Sequence, residues 1–323
     1  MTRSSSFVLA RAAIGAAFIL TAPSCATVTR IVTVFRSTDA FIASPEDPRV
    51  LYEPGAEALA RPVVAALPEA IAEVEAATYG PFVVPIRIYV CGTLDCYRRF
   101  TGNDRSGGQT TPRHKIFISP KPENSAARVP FVVAHELTHL HLVQRCSTYR
   151  AAQMPSWFNE GFAALVSQGG GAEGVSDANA ARAIVAGRTF TPTTEHGFSG
   201  SHFGLPPHMF YRQAALFIAY LRARDAGAFR AFIVDLEAGT PFAQAFGARF
   251  HSQLIPAWQA FVAQLAKVGL AYAGPATPIR LPSGSAKCPT TTLPFGLATG
   301  PITREPPRLS ALSSAAATFE TPT

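Results

Sequence analysis

Beyond its first 26 residues, this 323-residue chain has no apolar run long enough to span a membrane. It has no Lys/Arg block and no recognisable nucleic-acid motif, although its formal charge is +7 and its pI about 9.4. The positive residues are scattered. The charge therefore reads as solubility and a mild attraction to acidic surfaces, and nucleic acid is not an expected partner. The five cysteines form no C-x-x-C pair, which argues against a thiolate-bound metal. No internal repeat is present, which argues against a repeat array. With 48% hydrophobic residues, the chain can bury a sizeable core, as one large domain or two.

Residues 1–26 read as a targeting segment. Arg3 and Arg11 supply positive charge, residues 12–20 a short apolar run, and Ser24-Cys25-Ala26 small residues at its end. Cleavage after Ala26 fits this pattern. Lipid attachment at Cys25 fits it too, although Ala22 and Pro23 depart from a usual lipobox. The expected destination is periplasmic or extracellular, with a membrane anchor only if Cys25 carries lipid. Setting Cys25 aside leaves Cys91, Cys96, Cys146 and Cys288. An oxidising compartment can join these as two disulfides in three ways. Cys91–Cys96 is the expected pair, being close in sequence; Cys146 would then meet Cys288. Four reduced, buried thiols are the other reading.

The stretch that organises the chain is His135-Glu136-Leu137-Thr138-His139. Pro130 suits a first helical turn, and no Gly or Pro interrupts residues 131–144. On that helix the two histidines, four apart, project about 40° out of line and can grip one metal ion. Glu136 can reach a water on that metal, which is the H-E-x-x-H arrangement of zinc-assisted hydrolysis. His141 points about 200° round the helix from His139 and is not an expected ligand. Val132, Val133, Leu137, Leu140 and Val143 are expected to pack the helix into a core.

A catalytic zinc takes three protein ligands and keeps one open position. A second helical pattern opens at Pro155-Ser156-Trp157-Phe158-Asn159-Glu160-Gly161-Phe162-Ala163, 21 residues after His139 to the carboxylate. Glu160 is the candidate third ligand. The plainer reading is a solvated first-turn carboxylate favoured by the helix dipole. Trp157 and Phe158 beside it suggest a buried setting, where a carboxylate needs a cation. Asn159 is read either as a residue orienting that site or as part of the helix start.

These two motifs resemble the gluzincin metallopeptidases, the group that holds the zinc aminopeptidases and the smaller bacterial peptidase MA-like domains. The resemblance covers nearly half the chain, to about residue 261. It implies an α+β, zincin-like (thermolysin-like) fold, with a small N-terminal mixed sheet and a mostly helical C-terminal half. It implies His135, His139 and Glu160 as the ligands of one zinc ion and Glu136 as general base. The interval between His139 and Glu160 is longer than the aminopeptidases usually have. No G-x-M-E-N-like strand, which captures a substrate amino terminus, is present, so aminopeptidase specificity is not expected. By resemblance also, the segment 116–119 is the strand along the cleft that pairs with extended substrate. Tyr211 is the expected donor to the developing oxyanion; a packing tyrosine with its hydroxyl at the surface is the alternative.

The remaining elements frame this site. A helix is expected over 57–78, with Pro68 as a break and Tyr79-Gly80-Pro81 as its stop. Strands are expected at 31–35, 83–90 and 115–119, and a loop or irregular edge at 101–113. Gln168-Gly169-Gly170-Gly171 reads as a helix stop. Asp177 and Thr240 read as N-caps of later helices. His196, His202 and His208 are read as polar residues facing water, or as one lining the cleft. Tyr220 reads as core. A peptidase domain over 27–270 and a Pro-, Ser-, Thr- and Ala-rich tail over 271–323 are expected. The expected activity is peptide-bond hydrolysis on a peptide or protein substrate. A catalytically silent zincin-like scaffold and a zinc hydrolase of a non-peptide amide are the alternatives.

Overall fold

The computed structural model describes residues 36–121, 125–194 and 204–272. The targeting segment, the strand expected at 31–35, His196, His202 and Cys288 lie outside the described residues, as does nearly all of the expected tail. Among the described residues, no helix is long and apolar enough to cross a membrane.

Five short strands make one mixed sheet: β1 (Ile42–Ala43), β2 (Val50–Tyr52), β3 (Ile88–Val90), β4 (Gly108–Thr110) and β5 (Ile116–Ile118). Their spatial order is β1-β2-β3-β5-β4. The inner three run parallel, and β1 and β4 close the edges antiparallel. Parallel neighbours need a crossover, which α1 (Glu57–Thr78) supplies between β2 and β3. Side chains alternate across the sheet. Ile88, Val90, Ile116 and Ile118 join the main core with Val63 and Leu67 of α1. Tyr89 and Phe117 point the other way, onto Tyr97 and Phe100 of α2 (Leu94–Thr101). There Cys91 and Cys96 form the expected disulfide, with Cα atoms 5.6 Å apart.

The break expected at Pro68 does not occur: α1 is continuous through both Pro62 and Pro68. An interior proline costs about 3 kcal/mol. Val63, Leu67 and Val74 are fully buried on this helix, and each such side chain contributes about 1.5–3 kcal/mol, so packing overrides propensity. The helix stops at Tyr79, left-handed at φ 64°, where it was expected to. The strand expected over 83–90 is only Ile88–Val90. Val83 and Val84 are exposed. Their N–H groups donate to Gln144 Oε1 at 3.1 and 3.0 Å, and Gln144 Nε2 donates back to the Val84 carbonyl. A side chain takes the bonds that a neighbouring strand would have made.

The rest is helical. The motif helix is α3 (Val129–Cys146), followed by the short α4 (Thr148–Gln153) and α5 (Ser156–Val166). Then come α6 (Asp177–Val185), α7 (Pro207–Arg224), α8 (Ala226–Glu237), α9 (Phe242–Phe250) and α10 (Leu254–Tyr272). Val133, Leu137 and Leu140 are buried as expected, whereas Val132 and Val143 are half-exposed and line the cleft. The helical half packs around aromatic rings. Trp157, Phe158, Phe217, Phe232 and Phe242 meet at centroid distances of 5.3–6.0 Å where they touch. Tyr220 packs on Phe261 at this core's margin. Two expected caps are displaced by one residue. Ser176, not Asp177, caps α6 by accepting from Asn179 N at 3.2 Å, and Pro241, not Thr240, precedes α9. Ser176 is extended, as a capping residue must be, whereas Asp177 is already helical. Cys146 is a buried thiol, pushed up to about 12 chiefly by burial.

Helices α5 and α7 approach closely at Gly161. A Cβ there would lie 2.6 Å from Ala214 Cβ and 2.8 Å from the Ala214 backbone. Gly161→Ala gains about 1 kcal/mol of helix propensity but collides with backbone that cannot step aside. A net loss of about 1–3 kcal/mol is expected, read as a lower midpoint in urea unfolding. An unchanged or raised midpoint would show that the two helices separate freely.

Candidate metal centre

The site is built where α3 meets α5. His135 and His139 leave α3 one turn apart, with their Nε2 atoms 3.1 Å from each other. Glu160 Oε2 reaches in from α5, 3.4 Å from His135 Nε2 and 3.7 Å from His139 Nε2. One ligand atom from each residue falls within a 4.8 Å cluster. These three residues could hold a metal ion.

The donor chemistry fits a cation. His135 Nδ1 lies 2.9 Å from the Gly170 carbonyl. A carbonyl only accepts, so Nδ1 carries a proton, and Nε2 is the nitrogen turned to the cluster. Burial by itself raises the Glu160 carboxyl, but hydrogen bonds from His135 and His139 outweigh it, and the group falls well below the usual carboxylate range. Burial by itself lowers His135, and the bond and charge of Glu160 turn the net shift upward. The site is tuned to keep Glu160 ionised.

Glycines allow the close approaches. Gly170 lends its carbonyl, and Gly171 sits at φ +80°, where a Cβ would lie 2.8 Å from the Tyr211 ring and 3.0 Å from His135 Cε1. The run read only as a helix stop is thus also part of the site's wall. Glu173 secures the turn: its Oε1 accepts from Gly171 N at 3.0 Å, and His208 Nδ1 lies 3.1 Å from its Oε2. His208, the described member of the three histidines, lines the cleft from the first turn of α7.

Glu136 is 6% exposed, and two residues of β4 hold it. Thr110 Oγ1 lies 2.8 Å from Glu136 Oε2 and 2.8 Å from the Glu136 carbonyl. A Cβ on Gly108 would stand 2.7 Å from Glu136 Cγ. This corrects the strand assignment. The strand beside the site is β4 (Gly108–Thr110), within the stretch read as a loop or irregular edge. The segment 116–119 instead carries β5 (Ile116–Ile118), buried between β3 and β4. Of Gly108, Gln109 and Thr110 only the last favours a strand, so pairing with β5 and the bond to α3 make the stretch one.

Tyr211 stacks on His135 at 6.1 Å. Burial first, then the Glu160 charge and a hydrogen bond to Glu160, push its hydroxyl upward, so it keeps its proton. Asn159 Nδ2 donates to the Ala151 carbonyl at 3.1 Å, tying α5 to α4. It is a structural tether. His141 is buried away from the cluster, with Nε2 3.1 Å from Thr78 Oγ1 and 2.9 Å from the Gly80 carbonyl. His135, Glu136, His139, Glu160 and Tyr211 share one cleft of about 1440 Å³. That exceeds the roughly 300–1,000 Å³ of a small-molecule pocket. No family model matches this chain, and no curated protein matches it.

Elemental analysis tests the cluster directly. The purified chain, supplied with zinc, is expected to retain about one ion per molecule. Glu160→Ala is expected to retain none while remaining folded. A folded, metal-free wild type would sink the assignment.

Proposed function

We propose that this chain is an exported zinc metallopeptidase of the gluzincin type, with a zincin-like fold. One observation carries the reading. The cluster of two imidazoles and a carboxylate shares its cleft with a second carboxylate, Glu136, held in place by a strand at the sheet's edge. A scaffold needs no such held carboxylate.

Held by His135, His139 and Glu160, a zinc ion would supply Lewis acidity, enough to bring a water's pKa to about 7 and to polarise a carbonyl. The residues do the rest. Glu136 takes a proton from the attacking water and delivers it to the leaving amine. Thr110 and Gly108 fix the carboxylate's position, so that alignment is settled before substrate arrives. Tyr211, protonated and beside His135, donates to the oxygen on which charge develops. The free edge of β4 takes the backbone of an extended peptide or protein substrate. Residues 1–26 and the Cys91–Cys96 disulfide support an exported, oxidising setting.

The decisive variant is Glu136→Gln. It is expected to keep its zinc and lose peptide hydrolysis by about 10²–10⁴-fold, measured by mass spectrometry on a peptide mixture. Zinc retained with activity unchanged removes Glu136 from the chemistry. Thr110→Val is expected to lower kcat about tenfold with KM and zinc content near wild type, and Thr110→Ser to restore it. A matching fall in thermal stability with no kcat effect would reduce Thr110 to a packing residue.

A further inference from the structure

We propose that the cleft selects peptides bearing a carboxylate on the C-terminal side of the bond to be cleaved, on either an acidic side chain or the free chain end. This rests on the peptidase reading above and deepens it.

The backbone of β4 sets the direction. Ser119 N donates to the Gly107 carbonyl at 2.9 Å, and Thr111 N to the Lys115 carbonyl at 2.8 Å. Gly108 lies opposite Ile118 and Thr110 opposite Ile116. The odd-numbered residues therefore bond to β5, and the N–H and C=O groups of Gly108 and Thr110 point off the free edge. No strand among the described residues lies on that side, and both residues line the cleft. Two residues apart is the spacing at which an antiparallel partner exchanges bonds in pairs. Antiparallel pairing is also the more stable ladder. A bound peptide then has its N-terminal side at Thr110 and its C-terminal side at Gly108.

Charge is uneven along that direction. The segments leaving the Gly108 end bring Arg105, Lys121 and Arg128 into the cleft lining. Lys121 Nζ donates to the Arg105 carbonyl at 2.7 Å, which joins the two segments and leaves the ammonium further protons to give. Arg128 stands 4.0 Å from Glu173, whose carboxylate is already engaged by Gly171 and His208. Beyond Thr110 the lining turns to Thr148, Ala151 and Ser156, which carry no charge. Among the described lining residues, the Lys and Arg side chains stand toward the C-terminal side of such a peptide and none toward its N-terminal side.

The test uses the full chain loaded with zinc and fluorescein-labelled peptides of sequence Ala-Ala-Phe-Leu-Ala-Xaa-Ala. Xaa is Glu or Gln, and each peptide is made as the C-terminal acid and the amide. Affinity is read by anisotropy on the Glu136→Gln variant, and cleavage by mass spectrometry on wild type. Glu is expected to bind about 5-fold tighter than Gln, with the gain lost in Arg105→Gln/Lys121→Gln and at high salt. A gain confined to acid over amide assigns the recognised group to the chain end. A gain for Glu over Gln in the amides assigns it to the side chain. Equal affinity in all four peptides overturns the proposal. So does an equal gain when Glu is moved next to the label, which reports only the chain's overall positive charge. Selective binding without any cleavage by wild type sinks the peptidase reading and leaves the carboxylate subsite standing.

Discussion

Everything at the site depends on concentrating electron pairs where water is scarce. Two imidazole nitrogens 3.1 Å apart face a carboxylate oxygen 3.4 and 3.7 Å away. Groups crowded in this way need a proton or a cation between them, and a part-buried carboxylate without one is costly. Positive charge at the centre reconciles them. The opposite shifts of Glu160 and His135 express the same demand. The fold maintains this arrangement by packing the residues that flank Glu160 as firmly as any in the molecule: Trp157 and Phe158 are buried, and Gly161 lies against Ala214.

Glycine recurs where the scaffold closes on the site. Gly108 makes room for Glu136, Gly161 lets α5 settle on α7, and Gly171 lets a turn pass His135 and Tyr211. Only Gly171 of the three needs a left-handed backbone; the other two are defined by proximity. Each joins elements far apart in sequence. Side-chain positions at the site are thus consequences of how closely backbones approach.

The candidate ligand half of the site was legible in the sequence because its grammar is local. His135 and His139 are fixed by helical spacing, and Glu160 by its place in a second helix with a buried flank. The hidden parts depend on tertiary contacts. Thr110 reaches Glu136 across 26 positions, and the Gly170 carbonyl reaches His135 across 35. Nothing in Gly108-Gln109-Thr110 announces a strand, because its partner and not its composition makes it one. The overlong strand at 83–90 fails for the converse reason: β-branched residues were present, but Gln144 took their bonds. A triple glycine next to a ligand helix was the one available hint of the carbonyl at Gly170.

The position of the cleft follows from α3 belonging to both halves of the molecule. Thr110 ties this helix to the last strand of the sheet, and Arg145 ties it to Glu237 of α8, at 2.9 Å. A helix held near its middle by the sheet and at its C-terminal end by α8 presents residues 135–139 at the seam. On one side of that seam the sheet ends in β4, whose outward backbone groups meet no strand among the described residues. On the other side α5 and α7 supply Glu160 and Tyr211. An edge strand is ordinarily a liability, open to pairing with any other chain. Here it is only three residues long and set in a cleft rather than on open surface. That limits what can pair with it to a single extended segment lying across the cluster of His135, His139 and Glu160.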